Sequence, residues 1–187
     1  MTAIGLDACK AEQRSKGAAR PLIWLALGTA VSLLAAGGRW DISIAAWIAP
    51  VFLLRFSRTS GAVAAIVGLI AASSLQIAAY LVETAAPFNA TAVVLCLMLG
   101  VMFAVPYIVD RLAGRRLGVL GRIFLMPVAA VLTEFGISLL LPTGASLGIR
   151  AITQAENLAL IQIIALLGPY AIAFLIAWAA TVANQIW

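Results

Sequence analysis

The sequence contains no histidine, and its two cysteines, Cys9 and Cys96, lie far apart in the 187 residues. No metal-ligand spacing or disulfide framework can be read from such a set, so neither a metal nor another cofactor is expected. Charge is almost as scarce: Asp, Glu, Lys and Arg make up 10% of the chain, against roughly 25% in soluble domains. A chain so poor in charge cannot cover a soluble core. Phosphate-binding glycine loops and nucleophile elbows are also missing, which removes the common signatures of nucleotide and acyl-transfer sites. The net charge of +5 would suggest nucleic acid only if the cations formed a patch on a soluble surface. Here they punctuate apolar runs, so nucleic acid is not an expected partner.

What the sequence has in abundance is apolar length. Hydrophobic residues make up 64% of it, and the mean hydropathy is +1.11. Six apolar runs cover residues 21–37, 42–54, 61–82, 88–109, 123–141 and 158–182. A bilayer core takes about 20 helical residues, so the expected fold is all-α, a polytopic transmembrane helical bundle with about six spans. Residues 1–20 read as a polar cytoplasmic tail and 21–187 as the bundle. The first run is expected as an uncleaved helix rather than a signal core, because it is long and further spans follow. In the third run Ala64, Gly68 and Ala72 recur at four-residue spacing, a face suited to close helix packing. Gly168 and Pro169 are expected to kink the last run.

Placement of the cations sets the expected orientation. With six crossings and a cytoplasmic N-terminus, ten of the twelve basic residues fall on the cytoplasmic side, leaving only Arg39 and Arg150 opposite. This bias favours a full crossing by the short second run, with Trp40 and Trp47 as interfacial anchors. Both termini are then cytoplasmic, and the link at 142–157 is a surface loop on the other side.

Polar residues inside the spans are the remaining candidates for function. Glu134 sits near the middle of the fifth run, and intramembrane acids are expensive enough to signal a role. No Lys or Arg is expected at its depth, so it should be protonated or hydrogen-bonded. Rise per residue places Ser73, Ser74, Gln76 and Tyr170 at comparable depth, forming with Glu134 a candidate intramembrane polar pocket. The plainer expectation for this set is interhelical hydrogen bonding that fixes the bundle. Gln154, Asn157 and Gln162 are expected at the outer rim.

Residues after the fifth run carry a family resemblance. Ser146, Leu147 and Gly148, then Thr153, Gln154 and 157–162 (Asn-Leu-Ala-Leu-Ile-Gln), then Gly168, 174–178 (Phe-Leu-Ile-Ala-Trp) and Asn184, resemble a segment of apolipoprotein N-acyltransferases and related membrane-anchored carbon–nitrogen hydrolases. Thr133, Glu134 and Phe135 look like the acidic position preceding that segment, and 47–56 resembles the second span of those proteins. Departures occur at 142–145, where an aromatic turn is usual, and at 168–174, where a glycine-rich pattern is altered. The resemblance implies the bacterial inner membrane, phospholipid as a partner, and a bundle that anchors and gives lipid access to a periplasmic nitrilase-like domain. That domain carries a Glu–Lys–Cys triad. The triad cannot be assembled here, because Lys10 and Lys16 lie in the tail and Cys96 inside a span, where nothing lowers a thiol pKa. No catalytic residue is therefore assigned. The chain is expected to be the N-terminal membrane domain, truncated or encoded apart from its catalytic domain, and inactive alone. The alternative expectation is a small six-helix transporter or substrate-capture subunit holding a solute near Glu134.

Overall fold

The structure is a computed structural model and describes residues 20–38, 41–141 and 150–187. The polar tail, Arg39, Trp40 and the first half of the link, including the departures at 142–145 and Ser146, Leu147 and Gly148, lie outside the described residues. Among the described residues seven α-helices carry the fold: α1 (Arg20–Leu33), α2 (Ser43–Thr59), α3 (Ala62–Glu83), α4 (Ala90–Ala113), α5 (Val119–Leu140), α6 (Leu158–Leu167) and α7 (Tyr170–Ile186). Among the described residues there are also two short 3₁₀ segments, Gly114–Arg116 and Arg150–Gln154, and no strand.

Contacts between helix ends fix the topology. At one end Arg58 of α2 meets Asp110 of α4, Thr181 of α7 meets Ile123 of α5, and Trp24 of α1 meets Trp187. At the other end Gln76 of α3 bonds to the carbonyl of Ala35 beyond α1, and Tyr170 of α7 bonds to Ser138 of α5. Helices α1, α2, α3, α4, α5 and α7 therefore alternate in direction. Of these, α3, α4 and α5 are each long and apolar enough to cross a bilayer alone. Helices α2 and α7 have 17 residues each, which gives about 25 Å of rise.

The last apolar run bends where Gly168 and Pro169 predict it, and more sharply than a kink. It breaks into α6 and α7 with a bend of 116° between them. Gly168 carries the break with φ +77, a left-handed conformation that a residue with a Cβ adopts only at a cost. Pro169, which follows, cannot continue the hydrogen-bond ladder. Helix α6 turns away from α7 with no buried residue and with Leu158, Leu166 and Leu167 exposed. The second run, by contrast, is longer than expected, since α2 continues past Leu54 to Thr59.

Close packing relies on small residues, though not all those expected. Ala72 is buried and Gly68 faces the Phe56 ring, while Ala64 is exposed and Ala65 and Leu69 take its place in the interface. The tightest approach is between α3 and α4. A Cβ on Gly100 would lie 2.9 Å from the backbone nitrogen of Ser74 and 3.0 Å from its Cα, so only glycine permits this separation.

A proline inside a membrane helix leaves a carbonyl without its usual donor. Pro127 of α5 does this to Ile123, four residues earlier, and the Thr181 hydroxyl of α7 donates to that carbonyl at 3.0 Å. Asn184 similarly donates to the carbonyl of Val51 at 2.9 Å, tying α7 to α2. Thr181 and Asn184 of α7 thus serve the backbone of its neighbours.

Candidate functional site

Glu134 is not left to hydrogen bonding alone. It is 1% exposed, and one carboxyl oxygen accepts from Arg150 at 2.7 Å. The expectation that no cation reaches its depth is corrected here. Arg150 comes from the link rather than from a span, and the 3₁₀ turn Arg150–Gln154 folds back into the end of the bundle. A carboxylate in hydrocarbon draws in a partner because the unpaired charge is far costlier than a bent loop. The second Glu134 oxygen is buried without a partner.

The same inward turn corrects the placement of Gln154. Far from the rim, it is 1% exposed. Its amide nitrogen donates to the Ser43 carbonyl at 2.9 Å, and its carbonyl oxygen accepts from the Trp47 indole at 3.2 Å. Trp47 is thereby committed to the interior contact. Gln154 thereby ties the link to the first turn of α2 through one bond in each direction. Asn157 caps α6 through the backbone nitrogen of Leu160 at 3.4 Å, and Gln162 is exposed on α6.

Of the expected intramembrane set, the structure brings Glu134, Ser73 and Gln76 to one place. Ser73 and Gln76 line a cavity of about 40 Å³ with Leu53, Phe103, Tyr107 and Arg150. The Arg150 guanidinium lies 5.8 Å over the Phe103 ring, and Tyr107 is 3% exposed beside it. Ser74 faces Gly100 instead. Tyr170 also points elsewhere, donating to Ser138 at 2.8 Å and meeting Phe135 edge-on. A cavity of this size holds a few waters and nothing larger.

Sequence reasoning missed Arg150, Tyr107 and Phe103. Arg150 left a trace, being one of two cations on a side otherwise nearly free of them and 16 residues past the intramembrane acid. Tyr107 and Phe103 left none, because an aromatic in an apolar helix reads as packing.

At the same end lies an acidic patch. Asp41, between α1 and α2, and Glu156 line a groove of about 200 Å³ with Ser43 and Thr153. Burial pushes the Asp41 carboxyl above its ordinary value, and Glu83 and Glu156 push the same way, while backbone hydrogen bonds at Gly37 and Ile42 oppose them. A carboxyl whose folded pKa exceeds its unfolded one contributes stability below the unfolded value and loses it as pH rises through the folded one. Asp41→Asn is therefore expected to raise the thermal midpoint in detergent at about pH 8 and to leave it unchanged at about pH 3. An equal shift at both pH values would contradict this account of the patch.

The opposite end is basic. Arg58 grips Asp110 through two bonds of 2.9 Å, and Arg111 donates to the carbonyls of Ser57 and Ser60 at the end of α2. Those carbonyls have no helical donors, and a guanidinium there also suits the helix dipole. Arg116 and Arg122 flank the turn into α5. Cys96 is a buried free thiol in α4, and among the described residues no group of three or more acidic, Cys or His side chains could hold a metal.

Comparison with known families gives a match over most of the chain. The model for the apolipoprotein N-acyltransferase N-terminal domain aligns to residues 21–182, leaving out only the first twenty residues and the last five. No curated protein matches the chain, and no solved structure does.

Proposed function

Because this chain belongs to the apolipoprotein N-acyltransferase N-terminal domain family, we propose that it anchors a nitrilase-like acyltransferase domain and gives phospholipid lateral access to it. The family match over residues 21–182 carries the reading. The proposal holds whether the catalytic domain is joined to the bundle or separately encoded. We place the bundle in the bacterial inner membrane with its arginine-rich end in the cytoplasm, supported by the ten-to-two division of the basic residues. The end carrying Arg150 and Asp41 then lies beneath the catalytic domain. The apolar, unburied α6 supports a lipid-facing role at this end.

A solute route around Glu134 is not favoured. The acid is engaged by Arg150, and the adjoining cavity of about 40 Å³ admits only water.

The test is acyl transfer in a bacterium depleted of its own apolipoprotein N-acyltransferase. This chain, a nitrilase-like domain from the same family, or both would be supplied, and lipoprotein N-termini read by mass spectrometry. N-acylated lipoprotein is expected only when both are present. Equal acylation by the soluble domain alone would show that the bundle contributes nothing.

A further inference from the structure

We propose that the groove between α1 and α2 at the arginine-rich end is a binding site for the headgroup of an anionic phospholipid, separate from any lipid passing to the catalytic domain. The groove has a volume of about 520 Å³ and is lined by Arg20, Pro21, Ile23, Trp24, Arg55 and Thr59. Two guanidiniums and no carboxylate face it among the described residues. The apolar part of the wall, Ile23 and Trp24, continues along α1 towards the bilayer core. This pairing of a cationic mouth with an apolar channel matches a phosphodiester joined to acyl chains, and basic pockets between membrane helices recognise such headgroups.

The site is built rather than incidental. Trp24 is held by Phe52, stacked at 5.9 Å, and by Trp187, edge-on at 4.9 Å. Arg55 is held over the Trp187 ring at 5.1 Å. Its Nε is buried without a hydrogen-bond partner, although a buried donor of this kind ordinarily has one. At this end Arg58 is committed to Asp110 and Arg111 to carbonyls of α2, while Arg116 and Arg122 do not line the groove. Arg55 and Arg20 are the pair that the groove exposes to a ligand. A phosphodiester oxygen on Arg55 Nε would supply the partner, and guanidinium geometry suits a bidentate grip on phosphate.

The test uses the full chain in nanodiscs containing phosphatidylglycerol in a phosphatidylcholine background, with retained lipid counted by native mass spectrometry. The double variant R20Q/R55Q is expected to retain phosphatidylglycerol about thirty-fold less well, taking the usual contribution of each cation at a membrane surface. R20Q alone, at an exposed position that does not support the fold, should show about a fifth of the original retention. The control R116Q/R122Q, at the same end but outside the groove, should retain lipid as the parent does. Inorganic phosphate at millimolar concentration should not displace the lipid, since it lacks the chains that the apolar wall holds. Equal loss in R116Q/R122Q would reduce the effect to general surface charge and overturn the site. Displacement by phosphate, or loss on deleting residues 2–19, would overturn it by assigning binding to a free anion or to the basic tail.

Discussion

Replacing Arg150 with Met is expected to destabilise the fold by about 3–5 kcal/mol, the usual consequence of removing one member of a buried ion pair. Its partner Glu134 has a side chain only 1% exposed, and the second carboxyl oxygen already lacks a donor. Nothing else charged positively reaches the carboxylate among the described residues. Glu134→Leu is expected to cost a similar amount, because it strands the guanidinium among Phe103, Tyr107 and Leu53. The double variant E134L/R150M should recover most of the loss, since well-packed apolar residues replace buried pairs with little penalty. Equilibrium unfolding in detergent of the two single variants and the double gives the coupling directly. Additive losses would mean that the pair does not act as a unit. A second readout separates local from global effects: R150M should make the link cleavable by protease before the helices unfold, because Arg150–Gln154 loses its anchor.

Arg58→Met is expected to have the next largest effect, again about 3–5 kcal/mol. Asp110 is as buried as Glu134, with a side chain 1% exposed, and it receives both bonds of the Arg58 fork. The geometry is bidentate, which makes this the stiffer of the two pairs. It joins the last turn of α2 to the last turn of α4, and Arg111 reinforces the joint by capping α2. Asp110→Asn keeps the shape and one acceptor, so it should cost less than R58M. The ranking, measured by thermal unfolding in detergent, is the check. If D110N costs as much as R58M, the charge itself rather than the stranded carboxylate dominates.

Much of the fold was readable in the apolar runs, because hydrocarbon forces each of them to satisfy its backbone internally as helix. Spans α3, α4 and α5 follow from length alone. The failures have a common cause: a run of apolar residues records preference for lipid, not direction. Nothing in the pattern of 158–182 distinguishes a kink at Gly168 from the 116° fold-back of α6. Link residues were misplaced for a related reason. Arg150 and Gln154 are polar and follow a span, so they read as surface, yet each enters the bundle: Arg150 to pair with Glu134, and Gln154 to bond with Ser43 and Trp47 of α2. Depth counting found Glu134, Ser73 and Gln76 together, but depth says nothing about azimuth, and Ser74 and Tyr170 turn to other neighbours.

The proposed role requires the end carrying Glu156 and Arg150 to face the compartment of the catalytic domain and the arginine-rich end to face the cytoplasm. Impermeant maleimide labelling of intact spheroplasts tests this most directly, in a background with Cys9→Ala and Cys96→Ala. Glu156→Cys and Arg116→Cys occupy exposed positions at opposite ends. The account predicts that Glu156→Cys reacts from outside and that Arg116→Cys reacts only after the membrane is opened. Labelling of Arg116→Cys from outside, with Glu156→Cys protected, would contradict it.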